Sequence, residues 1–336
     1  MAIYIKSFAL ISTQSPLDNG FFTDPRPCPE PYCRAVEANY QNFLSPMAAR
    51  RMGPILKRAI ATSLTALKNA GVEDPDAIIF GTGLGCIDNT EKFLTAMIDN
   101  QESCLQPTFF INSTHNTVAS QVATFIKCHG YNSTYAHLGI SFESALMDGL
   151  MQMELGRIGT ALIGGHDEMT PTYFKLFDKV DYWNAPLGEC AAGFVLGTDP
   201  AGENLCRLDD VMLSYSPTDK EIAAGALEFL AKHGLKPSDI SCVVTGRNGD
   251  SRYDGSYDGF VAEVFGDTVA QCHYKHCFCE SFTAPAFGLA LGAQILSSGQ
   301  IPGAYLYSGN VPEKLEHILI VNSFHSTDWS LILLSV

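Results

Sequence analysis

The side chains with the clearest potential for nucleophilic chemistry lie between residues 137 and 144. Ser141 follows a strand-like segment and a glycine, and His137, four residues earlier, could serve as its general base. Such a pair would suit a thioesterase or an acyltransferase. The local sequence GISFE (139–143) nevertheless differs from the G-x-S-x-G turn of the hydrolases. Because Ser141 stands where a helix should begin, we predict that it caps this helix by accepting a hydrogen bond from the Ser144 amide.

Two clusters of potential metal ligands occur elsewhere in the chain. CHYKHCFC (272–279) is rich in cysteine and histidine, and GGHDE (164–168) ends in three potential ligands. Neither has the spacing of a zinc finger or ribbon, and alternation along a strand would send neighbouring side chains of the first cluster to opposite faces. We therefore predict no metal site. The glycines of GTGLG (81–85) lack the spacing and the acidic partner of a dinucleotide site, so we predict a strand-end turn and no cofactor.

The composition narrows the class of protein. The 336 residues are 46% hydrophobic and 17% charged, as in ordinary globular proteins. No apolar run approaches the roughly 18 residues of a membrane span. The net charge of −15 argues against nucleic acid and against anionic membrane surfaces as partners. The start, MAIYIKSFALIS, lacks the cleavage site of a signal peptide, so we predict a cytoplasmic protein whose eleven cysteines are reduced.

Strand-like and helix-like patterns alternate from end to end. In the first half, strands are predicted at 2–11, 76–85, 133–138, 159–165 and 189–198, and helices at 47–70, 89–99, from about 116, and at 141–156. In the second half, strands are predicted at 206–214, 240–245, 269–275, 317–323 and 328–335, and helices at 218–233, 257–265 and 283–298. Ser45 and Pro46 should open the helix that ends before Gly71. The order predicts an α/β fold made of two β-α-β-α-β-α-β-β passes, residues 1–200 and 201–336, packed as one unit.

Residues 130–168 resemble, without a gap, the nucleophile segment of the β-ketoacyl synthases of the thiolase superfamily. Both contain a strand, a sharp turn, an amphipathic helix and a second strand that ends in a Gly-Gly pair, here 164–165. The family's cysteine, at the turn, falls on Gly139, which has no side chain to acylate. The resemblance implies the thiolase fold, in which two duplicated halves pack as α-β-α-β-α layers.

Decarboxylative condensation also needs two histidines, which hold the extender thioester and stabilise the enolate formed when CO2 leaves. In the family, one histidine precedes a Gly-Thr pair and falls on Gly246 or, one residue later, on Arg247. The other ends a Lys-x-x-x-Gly-His turn and falls on Glu280, five residues after the retained Lys275. The family's glycine-rich gate after Asn-Ser-Phe is replaced by HSTD (325–328). The three reactive side chains are therefore missing from an otherwise intact frame.

These losses imply a chain-length-factor-type protein, a non-catalytic homologue that pairs with a cysteine-containing β-ketoacyl synthase. Such pairs serve type II polyketide, polyene (aryl polyene or flexirubin-like) or fatty-acid-like biosynthesis, and the acyl carrier protein would reach the pair through the active partner. In the family, the segment matching NSTHNT (112–117) crosses the dimer interface and reaches the end of the partner's acyl tunnel. The resemblance assigns these tunnel or interface residues: Phe109, Phe110, Asn112, His115, Asn116, Thr117 and Phe142. A stand-alone acyltransferase or thioesterase using Ser141, and a homodimeric acyl-binding protein, remain the alternatives.

Overall fold

The computed structural model describes residues 1–28, 30–50, 52–266 and 268–336. Within them the strands are β1 (Ile3–Ile11), β2 (Tyr32–Cys33), β3 (Ala77–Gly81), β4 (Tyr131–Tyr135), β5 (Thr160–Asp167), β6 (Leu187–Gly188), β7 (Cys190–Gly197), β8 (Cys206–Tyr215), β9 (Cys242–Thr245), β10 (Ala270–His273), β11 (Leu306–Ser308), β12 (His317–Phe324) and β13 (Asp328–Ser335). The α-helices are α1 (Pro46–Ala49), α2 (Pro54–Ala70), α3 (Ile87–Asp99), α4 (Pro107–Ile111), α5 (Thr117–Ile126), α6 (Ser141–Glu154), α7 (Pro171–Lys179), α8 (Asp219–Lys232), α9 (Asp254–Phe265), α10 (Lys275–Phe278) and α11 (Pro285–Ser298). Within these ranges, no helix combines the length and the apolar character needed to cross a bilayer.

One long sheet runs through the molecule in the order β11-β10-β9-β12-β13-β8-β1-β7-β5-β3-β4. Its two ends repeat each other, because β4-β3-β5-β7-β1 has the same chain order as β10-β9-β12-β13-β8. The first strands of the two repeats, β1 and β8, pair antiparallel at Ile3 and Leu208 and so join the halves. The repeat confirms the predicted duplication. We propose that the division between the halves lies in the connection from β7 to β8, at about residues 200 and 201.

The helices and the two half-sheets form five layers. The central layer holds α6, which contacts β3, β5 and β8, and α11, which contacts β12, β13 and β1. Phe142 of α6 and Phe287 of α11 are fully buried in one cluster with strand residues of both halves. The outer layers hold α2 and α5 on the first half and α8 and α9 on the second. This arrangement is the predicted α-β-α-β-α order.

The sequences of the helices match their layers. The central helix α11 (PAFGLALGAQILSS) is apolar on nearly every side, as a helix between two sheets must be. The outer helix α8 is amphipathic, and a capping box starts it, because the Thr218 hydroxyl accepts from the Glu221 amide while the Glu221 carboxylate accepts from the Thr218 amide. Each helix therefore carries a local signal for the layer it occupies.

The prediction of a single helix from 47 to 70 is wrong. Ser45 does cap a helix, but that helix is the short α1, and α2 begins separately at Pro54. Pro54 has no amide hydrogen to donate and holds Gly53 in an extended conformation, with ψ at 167°, so one helix cannot run through this point. The end of α2 at Gly71, with φ at +67°, is as predicted.

The elements that the sequence did not predict are short. The helices α4, α7 and α10 and the strand β11 span nine residues or fewer, which is too few turns or alternations for a clear periodic pattern. Of these, α7 fills the region between β5 and β6, and the Thr170 hydroxyl caps it by accepting from the Tyr173 amide at 3.2 Å. The segment after α7 reaches the candidate site described next.

Candidate functional site

The turn between β4 and α6 contains the position predicted for the family's cysteine. Gly139 is buried there, and a Cβ atom added to it would overlap the Phe324 ring. Leu138, one residue earlier, takes a φ of +50° and is 47% exposed, so its side chain faces outward from a strained backbone. Neither Leu138 nor Gly139 offers a side-chain group that could be acylated.

Ser141 does not form the pair with His137 that a hydrolase would need. The Ser141 hydroxyl donates to the Leu138 carbonyl at 2.7 Å and accepts from the His137 amide at 2.8 Å, so it is engaged with the backbone of the turn. The His137 ring lies instead against Ser144, with Nδ1 3.0 Å from the Ser144 hydroxyl oxygen. The predicted capping role of Ser141 is also wrong, because the chain is already helical at this residue and the cap is the residue before it. Ser141 is completely buried.

The other predicted positions come together beside this turn. Asn322 is their common neighbour, because its Nδ2 donates to the Gly139 carbonyl at 3.3 Å and its Oδ1 lies 3.4 Å from Lys275 Nζ. A Cβ atom on Gly246 would lie 2.6 Å from the same Asn322 oxygen and 3.4 Å from Lys275 Nζ. Lys275 Nζ in turn donates to Glu280 Oε2 at 2.8 Å. The structure therefore places all four positions around one point.

Lys275 and Glu280 form a buried ion pair, with side chains 4% and 6% exposed. The Asn248 amide group donates to Glu280 Oε2 at 2.7 Å, and the Ser281 backbone amide donates to Oε1 at 3.1 Å. An imidazole at this position could donate to a thioester oxygen, whereas an ionised carboxylate only accepts. Protein donors thus occupy both carboxylate oxygens of Glu280. Loss of either charge of the pair would leave the other charge unpaired in the interior.

Glu143 extends this polar network into α6. Its Oε1 accepts from Asn322 Nδ2 at 3.0 Å and from the Ser330 hydroxyl at 2.8 Å. Burial raises the pKa of Glu143 to about 7, against the opposing effect of these hydrogen bonds and of the nearby Lys275 charge. Glu143 therefore titrates near neutrality within a network that holds the turn.

Aromatic rings fill the space over the turn. Phe324 stacks on His325 with centroids 4.3 Å apart, and His325 stacks on Tyr253 at 4.7 Å. Tyr182 and Trp183, from the segment after α7, pack edge-on against His325. His325 has a φ of +51° in the loop that replaces the glycine-rich gate, and burial lowers its pKa. A substrate at the turn would have to displace this aromatic cluster.

Some of the predicted tunnel and interface residues lie at the surface. Phe110, His115 and Asn116 are exposed, and Phe109 and Asn112 are half-buried. Helix α4, which carries Phe110, leads into α5, and α5 packs on the outermost strand β4. These side chains are therefore available to a neighbouring molecule at this end of the sheet.

Thr117 and Phe142, predicted in the same set, lie inside this chain. Thr117 is 4% exposed, and its hydroxyl oxygen lies 3.0 Å from that of Thr114. Phe142 belongs to the central layer, where its ring centroid is 5.6 Å from that of Phe194. These two residues are therefore not available to a neighbouring molecule.

A cavity of about 760 Å³, which the sequence did not predict, lies between α2, α3 and the chain around Glu168 and Glu189. Arg58 lines it, and its Nη2 lies 2.6 Å from a Glu37 oxygen and 3.0 Å from a Glu189 oxygen. Burial raises the pKa of Glu168 to about 7. The available signal was Arg58 itself, which is the one charged residue among the buried residues of α2.

The GGHDE segment serves the structure around it. Asp167 Oδ1 accepts from the Gly83 and Leu84 amides at 2.9 and 3.0 Å, which fixes the glycine turn after β3. His166 is fully buried with its ring 4.5 Å from that of Phe80, and burial lowers its pKa to about 3. These two neighbours thus have separate surroundings on opposite faces of the strand.

The prediction that all eleven cysteines are reduced is wrong for two of them. Cys28 and Cys279 form a disulfide, with Cα atoms 6.4 Å apart. The irregular segment before β2 folds back onto the turn after α10, and this long-range contact brings the two together. Cys279 comes from the cysteine- and histidine-rich segment 272–279, and within the described ranges it groups with Cys28 and Cys33 as potential ligands.

Comparisons with known proteins agree with this geometry. The β-ketoacyl synthase N-terminal domain model matches residues 26–233. No curated protein sequence matches the chain.

Among solved structures, the ishigamide ketosynthase/chain length factor is similar over 100% of this chain and 99% of its own, with a TM-score of 0.83 at 16% identity. A β-ketoacyl synthase from Burkholderia phymatum matches 100% of this chain over 99% of its own, with a TM-score of 0.81 at 16% identity. A ketosynthase in complex with its chain length factor, from Xenorhabdus doucetiae, gives a TM-score of 0.78 at 16% identity over 100% and 98%. These likenesses confirm the thiolase fold.

Proposed function

The chain belongs to the β-ketoacyl synthase family, and we propose that it is a catalytically silent, chain-length-factor-type subunit that pairs with a cysteine-containing ketosynthase. One observation supports the silent role above all. The turn that should present a nucleophile carries Leu138 and Gly139, and the Phe324 ring occupies the space that a side chain on Gly139 would need.

The side chains that would stabilise the enolate in condensation are also missing around this turn. An active ketosynthase needs a thiolate at the helix N-terminus and donors for the enolate oxygen. Gly246 offers no side chain, and Glu280 offers a carboxylate that is already bonded to Lys275 and Asn248. A negative charge at position 280 would repel an enolate and not stabilise it.

The surface near β4 supports a protein partner. β4 ends the order of the long sheet, and its outer side has no neighbour among the described strands. Phe110, Ile111 and Tyr131 are 58%, 64% and 41% exposed on α4 and β4. An unpaired strand edge with exposed apolar side chains is a surface that soluble proteins cover. Since two of the similar structures are ketosynthase and chain length factor pairs, we take a ketosynthase as the partner, with the acyl carrier protein bound through it.

In such a pair, residues 109–116 would wall the end of the partner's acyl tunnel. His115 and Asn116 are exposed and lie between α4 and α5, where a neighbouring subunit could meet them. The volume of these side chains would then limit how far a polyketide, polyene or fatty-acid-like chain can grow. Thr117 and Phe142 would hold this segment in place from inside.

The geometry of Ser141 and His137 does not support the alternative of a stand-alone acyltransferase or thioesterase. Ser141 is completely buried, and its hydroxyl is bonded to the backbone of the turn on both sides. His137, the proposed base, is directed to Ser144.

The test is purification from the native host followed by acylation. We expect a second, cysteine-containing ketosynthase chain to travel with this one. After incubation of the pair with an acyl-carrier thioester, intact mass should show an acyl adduct on the partner and none on this chain. Ser141→Ala should leave the product yield of the pair unchanged.

Two outcomes would contradict the proposal. An adduct mapped to residues 137–144 of this chain would overturn its silence. A homodimer that binds acyl chains and recruits no ketosynthase would overturn the pairing and favour an acyl-binding protein.

A further inference from the structure

Three cysteine sulfurs meet where the N-terminal part of the chain crosses the turn after α10. The Sγ atoms of Cys28, Cys33 and Cys279 all lie within 4.8 Å of one another, and the first and third are joined as a disulfide. Cys33 is the free thiol, 8% exposed, with Sγ 3.2 Å from the Glu30 carbonyl oxygen. At this distance the Cys33 thiol can exchange with the Cys28–Cys279 disulfide.

Residues 12–28, which we call the N-terminal strap, are fixed on α10 by hydrogen bonds. The Thr13 hydroxyl and the Gln14 side-chain amide both donate to the Cys277 carbonyl, at 2.7 and 2.6 Å. The Cys28 backbone amide donates to the His276 carbonyl at 3.1 Å. Because these bonds use only backbone carbonyls and uncharged donors, they hold the sulfurs near one another whichever sulfurs are bonded.

Cys279 occupies a constrained position directly before Glu280. Its φ of +63° lies in the left-handed region that favours glycine. The chain on either side is tied down, since the Glu280 amide donates to the Pro186 carbonyl at 2.7 Å and the Gly188 amide donates to the Glu280 carbonyl at 2.8 Å. A bond from Cys28 to Cys279 therefore fastens the N-terminal strap to the residue next to the Lys275–Glu280 pair.

We propose that Cys28, Cys33 and Cys279 form a thiol–disulfide exchange site. The Cys33 thiolate attacks Cys28 Sγ, a Cys28–Cys33 bond forms and the Cys28–Cys279 bond breaks. Cys279 leaves as a thiolate and takes up the proton that Cys33 lost, so this step involves no net oxidation. The first disulfide forms when two thiols pass two electrons and two protons to a small disulfide such as oxidised glutathione, which becomes two thiols.

Small thiols and disulfides can reach the site from one side. A groove of about 450 Å³ is lined by Cys28, Glu30, Pro31 and Trp183, among others. Cys28 is half-buried, whereas Cys279 is 1% exposed. Reagents from solution therefore meet Cys28 first, and Cys279 is released from behind it by Cys33. This inference does not depend on the proposed function.

The experiment uses the full chain with any partner that purifies with it. The protein is equilibrated with oxidised glutathione, exposed to N-ethylmaleimide, quenched in acid and mapped by mass spectrometry without reduction. We expect both the 28–279 and the 28–33 links, with progressive alkylation of Cys279 as exchange frees it. In Cys33→Ser, whose hydroxyl can keep the bond to the Glu30 carbonyl, the 28–33 link is absent and alkylation of Cys279 slows by about tenfold or more.

Cys104→Ser is the matched control, because it removes an exposed free thiol outside the site and should leave the alkylation rate of Cys279 unchanged. Equal alkylation of Cys279 in the wild type and in Cys33→Ser would overturn the exchange. Three free thiols after treatment with oxidised glutathione would overturn it as well. One tightly bound zinc ion per purified chain, with the three thiols protected by it, would replace the exchange site with a metal site.

Discussion

The turn at Gly139 and the strand edge at β4 are close in sequence, yet they are built in opposite ways. At the turn, the Phe324 ring and the Lys275–Glu280 pair fill the space around the positions that motif spacing predicted as reactive. At the edge, strand β4 has no outer neighbour in the described residues, and Tyr131 is 41% exposed. The centre of the fold is thus filled by this chain's own side chains, whereas the edge at β4 is left open.

The second half of the molecule sharpens this comparison. β10 takes the place of β4 in the repeat, but β11 covers it, with Gln271 paired to Ser308. The edge of the second half is therefore β11, which spans three residues, whereas β4 spans five. The longer open edge lies in the half that carries the 107–117 segment.

The largest effect is expected from Lys275→Met, which leaves Glu280 as an unpaired carboxylate in the interior. The free energy of unfolding should fall by roughly 3–5 kcal/mol, measured by denaturant titration. Lys275→Met combined with Glu280→Gln should recover much of the loss. The control is Lys232→Met, since Lys232 is 67% exposed in its pair with Asp210 and should cost at most about 1 kcal/mol. A stable Lys275→Met chain that inactivates the reconstituted pair would show that the centre still serves the chemistry.

A pH dependence should arise from Glu143, whose pKa is raised to about 7 by burial from an ordinary 4.5. The folded chain keeps the proton longer than the unfolded chain, so stability from this group is full below about pH 4.5 and is lost as the pH rises through 7. The complete loss would be about 3 kcal/mol. Glu143→Gln keeps an acceptor for Asn322 and Ser330 without titrating. Its stability relative to the wild type should therefore rise between about pH 5 and pH 8 in denaturant titrations, and a constant difference would contradict the closed centre.

At the open edge, added charges should weaken association with the partner. Ile111→Glu and Ser133→Lys should each raise the dissociation constant roughly a hundredfold, about 2.7 kcal/mol, while the melting temperature stays near that of the wild type. Sedimentation of the pair would measure this. Val311→Glu, a 48% exposed apolar position beyond β11, is the matched control and should have no effect. Equal weakening by the control would remove the distinction between the two edges.

The smallest expected effect concerns product length. His115→Trp should crowd the end of the partner's tunnel at a cost of roughly 1–3 kcal/mol, which favours release over a further extension by about tenfold. Mass spectrometry of the products would show a shift to shorter chains with subunit association intact. Thr124→Trp, at an exposed position farther along α5, should leave the distribution unchanged. A change in yield alone for His115→Trp would make the segment a scaffold and not a limit on length.

Much of the fold could be predicted because its longer elements repeat local patterns over several turns. Strands β12 and β13 and helix α8 were predicted close to their observed bounds. The break at Gly53 and Pro54 was missed although proline is a known helix start, because apolar residues recur at helical spacing on both sides of it. The helical spacing of the apolar residues therefore predicted one continuous helix in spite of Pro54.

The site could be predicted only in part. Residues 139, 246, 275 and 280 were placed by motif spacing, and their convergence on Asn322 depends on contacts between distant residues that leave no local pattern. The Phe324 ring over Gly139 was not foreseen, since it is a contact between residues 185 positions apart that leaves no local pattern. The sequence spacing of Ser141 and His137 suggested a pair that the helical turn does not form.

The N-terminal strap is synthesised long before α10, the helix on which it docks. Its disulfide partner lies 251 residues further along the chain, and β1 pairs with β7 and β8 from well beyond the middle of the first half. At roughly 5–20 residues per second, the strap leaves the ribosome about 12–50 s before its docking surface exists. For much of that interval the strand IYIKSFALI also has no partner, until β7 is synthesised. The yield of folded protein should therefore depend on translation speed and on chaperone supply, because both determine whether the N-terminal segment stays unaggregated until its partners are synthesised.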